Sequence, residues 1–366
     1  MPFDRGTISF RVCSLPEELP KNFLEGFAAN VAPSWEKVGN EPEYGWVSGR
    51  HLMEENINED TCKLVGNYHL CLRQAERKIP SSLLNAKCRL SELQRMAENG
   101  TDHINRKEKK RIREEIQEEL QPTMPVQLSG VYIAIAPKDH VMYTTATSTR
   151  QLDLVLEYFH KATGVMPMAL CPEVAALNMF DIEPQSIPLL NISPELDDTL
   201  EGGTLGENFL TWLWFFQEEH DGILPSSKLG EFSLGIDGPL VFVAEGNGAY
   251  ESTIRKGVPT LSAEAKAALM VGKKLRRAKL ILARGKGEEW AFTFDANEFV
   301  FKGMKLPEGE SLDTAGVFDE RMTNLYIFQT VFLALFQRFI KDMTNPEKAT
   351  EYQKQAKQWV QERTGR

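Results

Sequence analysis

The run KLILARGKGEEWAFTF, residues 279–294, decides the fold. Lys279–Ala283 and Trp290–Phe294 are β-prone segments, and Arg284-Gly-Lys-Gly287 between them supplies the residues of a chain reversal. The stretch therefore predicts an antiparallel hairpin. A further strand is expected at Glu298–Lys302, followed by a long amphipathic helix over about Val317–Met343. Upstream, Phe209, Trp212, Leu213 and Phe216 recur at i, i+3, i+4 and i+7, the spacing of a buried helix over Glu207–Gly222. A strand at Leu240–Ala244 and a helix at Ser262–Val271 complete this half. Strands that pair with near neighbours, with helices gathered around them, predict an α+β protein with mixed or antiparallel sheets and flanking helices.

The first half continues the pattern. Thr7–Val12 alternates as a strand, Glu17–Ala29 carries apolar residues at helical spacing, and Val38–Gly49 is turn-rich. Leu64–Leu72 is expected to be a strand that ends in the charged run Arg73–Lys78, closed by Pro80. Residues 81–98 contain neither Pro nor Gly, and Leu83, Leu84, Leu90, Leu93 and Met96 form a helical stripe. Asn99-Gly100 breaks it, and a second helix runs from about Ile104 to Leu120, where Pro122 and Pro125 follow. Such a polar pair of helices is expected to project from the body. Strands at Gly130–Ala136 and Val141–Thr147 flank a tight turn at Lys138-Asp-His140, and Ser148 or Thr149 caps a helix to Lys161.

The organisation expected is a central α+β domain from residues 1–80 and 121–172, with 81–120 as a helical-hairpin tip. Residues 173–206, rich in Pro, Gly and acids such as Glu195, Asp197, Asp198 and Glu201, form a connection. A second, base domain spans 207–344, and 345–366 is a charged tail, a helix that frays or lies across another subunit.

Composition sets outer limits. The 366 residues include 42 Lys and Arg against 52 Asp and Glu, a net charge of −10, with 42% hydrophobic and 26% charged residues. These values exclude collagen-like and wholly disordered chains. An acidic average also argues against a nucleic-acid binder, unless the charge is segregated. No apolar run reaches the roughly 18–20 residues of a spanning helix. The start MPFDRGTISF has no apolar signal region, and the cysteines at 13, 62, 71, 88 and 171 form no CxxC pair. A soluble cytoplasmic protein is expected.

Enzyme motifs are weak. Gly272-Lys273-Lys274 lacks both the first glycine and the hydroxyl of a P-loop. Gly246-Asn-Gly248 and Gly285-Lys-Gly287 lack the third glycine of a dinucleotide fingerprint and read as turns. The six histidines have no HxH or HExxH spacing, and Cys62, His69 and Cys71 read as core residues. There is no GxSxG elbow. Neither metal nor cofactor is expected. For a metal-dependent exonuclease, Glu264-Ala-Lys266 has the letters but sits in an expected helix, and Asp295 and Glu298, at consecutive strand ends, could pair on a metal but read first as the acids common at hairpin ends.

Charge segregation is stronger. Ten basic residues between Ile254 and Lys286 face only Glu264, a net of +9 over 33 residues. They are Arg255, Lys256, Lys266, Lys273, Lys274, Arg276, Arg277, Lys279, Arg284 and Lys286. Like charge at this density repels itself unless an anion neutralises it, so a polyanion partner is expected over a solubility patch. A second cluster in the hairpin contains Lys107, Lys110 and Arg111. It is either a basic tip that touches phosphates or a helix of i, i+4 pairs such as Lys110–Glu114 and Arg111–Glu115. Trp212 and Trp214 could stack on bases, but the apolar stripe favours a core position for both.

The order of these features resembles a known family. Gly45-Trp46-Val47 leads through Arg73 and Arg77-Lys78-Ile79-Pro80-Ser81 into the Lys/Glu-rich helices, then VYIAIA at 131–136 and Gly164-Val-Met-Pro167. Over about residues 1–170 this is similar to the bacterial recombination-associated RdgC family, and Phe209–Phe215 resembles a longer branch of it. The resemblance implies a non-enzymatic, sequence-independent DNA binder, a ring-shaped homodimer whose basic hole admits duplex, acting in the nucleoid to limit access of the RecA recombinase. Double-stranded DNA is the implied partner, with single-stranded DNA left open. On the charge count, Lys273, Lys274, Arg276, Arg277, Lys279 and Arg284 would line the hole, supported by Lys266, Arg255 and Lys256. The hairpin would meet its twin across the dimer. The alternatives are a DNA exonuclease and a protein-interaction module that does not touch DNA.

Overall fold

The computed structural model describes residues 2–195, 203–244, 251–285 and 287–362. Lys286, the turn at Gly246-Asn-Gly248, the acids Asp197, Asp198 and Glu201, and the last four residues of the tail lie outside them.

The chain opens with β1 (Ile8–Ser14) and α1 (Phe23–Ala29). The helix expected from Glu17 is cut to seven residues, because Pro20 cannot sit inside it. Val38–Gly49 contains a strand where turns were expected, β2 (Glu43–Ser48). Gly45 is the reason it resembles a turn: a Cβ there would lie 2.2 Å from Ala32 Cα, so this glycine marks a close backbone approach within a strand. After α2 (Glu59–Cys62) and β3 (Lys63–Leu64), β4 (Asn67–Arg77) runs straight through the charged segment expected to end it.

Next come α3 (Ser81–Asn99) and α4 (Arg106–Leu120), the expected hairpin. Gly100, in the left-handed region at φ +62°, closes α3, and the Asn105 side chain caps α4. Leu84, Cys88, Ile112, Ile116 and Leu120 give the pair a small core separate from the main one.

β5 (Val126–Ala136), β6 (Val141–Thr144) and α5 (Thr149–Thr163) follow, with Ser148 accepting from Gln151 N at the helix start. After β7 (Met168–Ala169), the expected connection opens with a helix, α6 (Pro172–Phe180), whose Pro172 stands where a missing N–H costs nothing. The second half holds α7 (Leu205–Glu219), β8 (Phe232–Val243), β9 (Glu251–Ile254), α8 (Ala263–Met270), β10 (Lys274–Arg284), β11 (Glu288–Asp295) and β12 (Val300–Lys305). Two helices end the described chain, α9 (Thr314–Met343) and α10 (Pro346–Glu362).

All twelve described strands join one antiparallel sheet, ordered β2-β4-β5-β6-β1-β12-β11-β10-β8-β9, with β3 on β4 and β7 on β1. The protein is α+β. β1 is the joint between the halves: Ile8 and Phe10 register with Met304 and Phe301 of β12, while Arg11–Ser14 register with Thr144–Val141 of β6.

On one face the thirty-residue α9, about 45 Å long, lies across both halves. Its Phe318 stacks on His69 of β4 at 5.2 Å, Gln329 accepts from the Tyr143 hydroxyl of β6 at 2.7 Å, and Phe328 meets Phe301 of β12 edge-on at 4.9 Å. Phe332 meets Phe294 of β11 at 5.0 Å. α1 and α5 cover the opposite face of the first half, where Trp46, Leu70, Ile133 and Met142 are buried among Phe27, Val155 and Phe159. Among the described residues no helix is long and apolar enough to cross a membrane.

The helix expected in the tail is present, and it packs on its own chain instead of fraying or crossing to another subunit. Ala349, Ala356 and Val360 of α10 are buried, and Trp359 Nε1 donates to Glu218 of α7 at 2.8 Å. Asp342, 1% exposed, anchors the corner between α9 and α10 by accepting from Arg338 Nε, Lys348 Nζ and the Tyr352 hydroxyl.

This packing can be tested at two points. Phe10→Ala should cost about 3–5 kcal/mol in urea denaturation, since Phe10 is fully buried against Tyr143, Phe301 and Phe328. Asp342→Asn should cost about 1–3 kcal/mol at neutral pH. Burial alone would raise the Asp342 carboxyl, but Lys348 and Arg338 outweigh it and hold it below the ordinary range. Its contribution is therefore complete above an unfolded carboxyl's pKa of about 3.9. It is lost as pH falls through the lower folded value, so the wild-type and Asn curves should converge in acid.

Candidate nucleic-acid interface

Strand alternation divides the basic run of β10. Ala278, Leu280 and Leu282 are buried in the main core, where they meet the layer of α7 and α9, while Arg277, Lys279, Ile281 and Ala283 on the other face are half-buried. On β11, Trp290, Phe292 and Phe294 are buried, and Ala291, Thr293 and Asp295 alternate with them. The register aligns Asp237 of β8, Lys279, Thr293 and Lys302 of β12 in one cross-strand row, and Gly235, Ile281, Ala291 and Lys305 in the next. Ser9 of β1 borders these rows, its Oγ accepting from Gly303 N at 2.8 Å. The outcome is a broad, partly exposed sheet face edged by Lys302 and Lys305.

Lys274 does not belong to this face. It is 6% exposed, and its Nζ donates to Asn208 Oδ1 of α7 at 2.8 Å. The same Asn208 oxygen accepts from Leu190 N, so this lysine ties α7, β10 and the segment before α7 together. A phosphate cannot reach it without opening the core.

Most of the other expected contacts have partners in space. Lys273 Nζ donates to Ser252 Oγ at 2.6 Å. Arg277 lies 3.1 Å from Glu251, and both Arg276 and Arg277 lie 3.9 Å from Asp295. Lys279 pairs with Asp237 at 3.2 Å. Arg284 forms a two-pronged contact with Glu288 while stacking 5.7 Å above both Phe232 and Trp290, and that partner raises its pKa and lowers the Glu288 carboxyl's. Lys266 donates to the Gln361 carbonyl and so joins α8 to α10. Arg255 and Lys256 are exposed just after β9. The charge of Arg276, Arg277, Lys279 and Arg284 is thus met by acids that the sheet brings from other strands.

Lys107, Lys110 and Arg111 lie apart, exposed on α4. Lys110 pairs with Glu114 at 3.5 Å, and Arg111 with Glu108 and Glu115 at 3.2 and 3.3 Å. Lys107 has no ion pair among the described residues. Lys302 and Lys305 fell outside the basic window of the sequence. Alternation alone would send residues 302 and 305 to opposite faces; the register shift between Ala291 and Thr293 brings both lysines to this one.

The carboxylates proposed for metal chemistry face separate cations. Asp295 is beside Arg276 and Arg277, whereas Glu298 pairs with the buried Arg11, which also donates to the Thr147 carbonyl. Among the described residues no three His, Cys, Asp or Glu side chains converge as a metal site. Trp212 and Trp214 are core residues, as the apolar stripe implied. His69 is buried between Phe3 and Phe318, and burial pushes its pKa down to about 3, which keeps it neutral.

The family model described as "RdgC: Putative exonuclease, RdgC" matches residues 36–178. Over this stretch, less than half of the chain, the sequence is similar to the RdgC family. The matched region runs from just before β2 to α6 and includes the hairpin; β10 lies beyond it. Two arginines within the match hold loops. Arg73, fully buried, donates to the carbonyls of Leu52 and Pro33 and pairs with Glu55. Arg77 donates to the carbonyls of Val38 and Met124, which fastens the entry to the hairpin.

Lys274 and Lys279 should separate on substitution. Lys274→Ala should cost about 1–3 kcal/mol in urea denaturation, because Asn208 Oδ1 loses a buried donor. Lys279→Gln should stay within about 0.5 kcal/mol, since its pair with Asp237 is solvent-exposed.

Proposed function

We propose that this protein binds DNA without sequence preference, in the recombination-associated role to which the RdgC similarity points. The single observation that carries this reading is the partly exposed sheet face of β8, β10, β11 and β12, with Arg277, Lys279, Lys302 and Lys305 spread across neighbouring strands. Flexible cations on a broad surface suit phosphates, which repeat along any duplex whatever its sequence. In this reading two chains form a ring around duplex DNA, the α3–α4 hairpin of one meets that of the other, and the occupied DNA is denied to a RecA-type recombinase. Double-stranded DNA is the main ligand, the chain has no catalytic role, and the protein is associated with the nucleoid.

Gel-shift titration on random duplex tests it. Affinity should fall steeply between about 50 and 200 mM salt. Lys279→Gln/Lys302→Gln/Lys305→Gln should weaken binding equally on unrelated sequences and reduce the salt slope by about one for each phosphate that is no longer neutralised. Unchanged binding by the triple variant would remove this face as the site. Recruitment of a recombinase without DNA would favour a protein-interaction module.

The family description favours a second reading, an exonuclease. It requires metal-dependent loss of a labelled DNA end that Asp295→Asn or Glu298→Gln abolishes. End label that stays intact with Mg2+ or Mn2+ present would exclude it.

A further inference from the structure

The helix-covered side of the molecule contains a separate feature. Between α7, α9 and the loop leading into β8 is an open cavity of about 280 Å3. Its walls are apolar, formed chiefly by Phe216, Leu224, Leu229, Phe232, Val331 and Leu335, and Ile223 beside Leu224 is 67% exposed. The volume falls just short of the roughly 300–1,000 Å3 of small-molecule sites. It suits the anchor side chain of a larger partner, one aromatic ring with part of a neighbouring residue.

A single cation stands at the edge. Arg338 lines the cavity, and its side chain is 47% exposed. Asp342 behind it takes Nε, and the Tyr352 hydroxyl is close to both. A guanidinium carries five N–H donors in a rigid fork, so anchoring Nε orients the terminal donors without using them up. Asp342 also accepts from Lys348, so one buried carboxylate faces two cations. Glu219 and Glu351 line the adjoining cavity beyond Phe216 and Arg338, and among the described residues no acid lines the apolar one. There is room for one carboxylate here, and a run of acids would be repelled.

We propose that this cavity docks the C-terminus of a partner protein that ends in an aromatic residue. The ring fills the apolar cavity, and the terminal carboxylate takes the fork of Arg338. DNA binding plays no part in this proposal, and the two can fail separately.

The test is fluorescence anisotropy of the labelled peptide Gly-Ser-Gly-Ala-Leu-Phe, with a free C-terminus, titrated with the full chain. Saturable binding is expected, weakened about tenfold or more when the terminus is amidated or the last Phe becomes Ala. Ala334, exposed at the cavity wall, can be enlarged without disturbing the core. Ala334→Trp should abolish peptide binding and leave the melting temperature and the DNA gel shift unchanged. Arg338→Lys, which keeps a cation beside Asp342, should weaken the acid peptide and not the amide. Equal affinity for acid and amide, undiminished binding by Ala334→Trp, or binding of dodecanoate with none of the peptide would each overturn the proposal.

Discussion

One strand of seven residues holds the two half-sheets together. The first residues of β1 extend the second half-sheet through β12, and the last four extend the first through β6. Because the strand is continuous, neither half can twist or shift register without dragging the other. α9 repeats the constraint in a second layer, with Phe318 against His69 at one end and Phe332 against Phe294 further along. Aromatic contacts of this kind, stacked or edge-on, add about 0.5–1.5 kcal/mol each beyond the area they bury. Phe10 touches both devices, since it meets Phe301 across the strands and Phe328 on the helix.

This arrangement explains how far the fold was legible in the sequence. Elements governed by local periodicity were visible: the 279–294 hairpin, the stripe of α7, and the hairpin helices with their Gly100 break. Elements governed by distant partners were not. β2 looked like turns because Gly45 is required by the backbone of Ala32, and nothing near residue 45 reveals that approach. α10 looked like a fraying tail because its anchors are single residues spaced far apart, Ala349, Ala356 and Val360, and because Glu218, the acceptor for Trp359, lies 141 residues away. The joining of two expected domains into one sheet is likewise a non-local fact, decided where β1 meets a strand nearly 300 residues later.

The candidate site shows the same limit in electrostatic form. A net of +9 over 33 residues is correct as a count along the chain, yet a sheet places each residue beside strands from elsewhere. Asp237, Glu288 and Asp295 come from the strands flanking β10, and Glu251 from β9, one strand further out. Alternation then sends successive cations to opposite faces. Lys274 and Lys279 belong to one run but one is in the core and the other in solvent, because a lysine stem packs as readily as it dissolves and only the neighbours decide. Lys302 and Lys305 escaped notice for the converse reason: a cation alone in its own window can join others through the register.

Pairing does not disqualify such a face from meeting a polyanion, but it changes the energetics. The Lys279–Asp237 and Arg277–Glu251 pairs are part-exposed, and pairs of that kind contribute about 0–1 kcal/mol. Exchanging a carboxylate for a phosphate oxygen therefore costs little on the protein side. The displaced carboxylate must still be rehydrated close to the phosphates, however, and Asp237 and Asp295 would repel a backbone settled directly upon them. Cations already matched by acids also have less effect on the counterions condensed along DNA, from whose release most non-specific affinity derives. In the proposed role, a face with mixed charge would thus hold DNA more loosely than its count of lysines and arginines implies. Loose, sequence-blind contact lets a duplex slide, and in a closed ring retention would come from topology, with no need for tight binding at any one place.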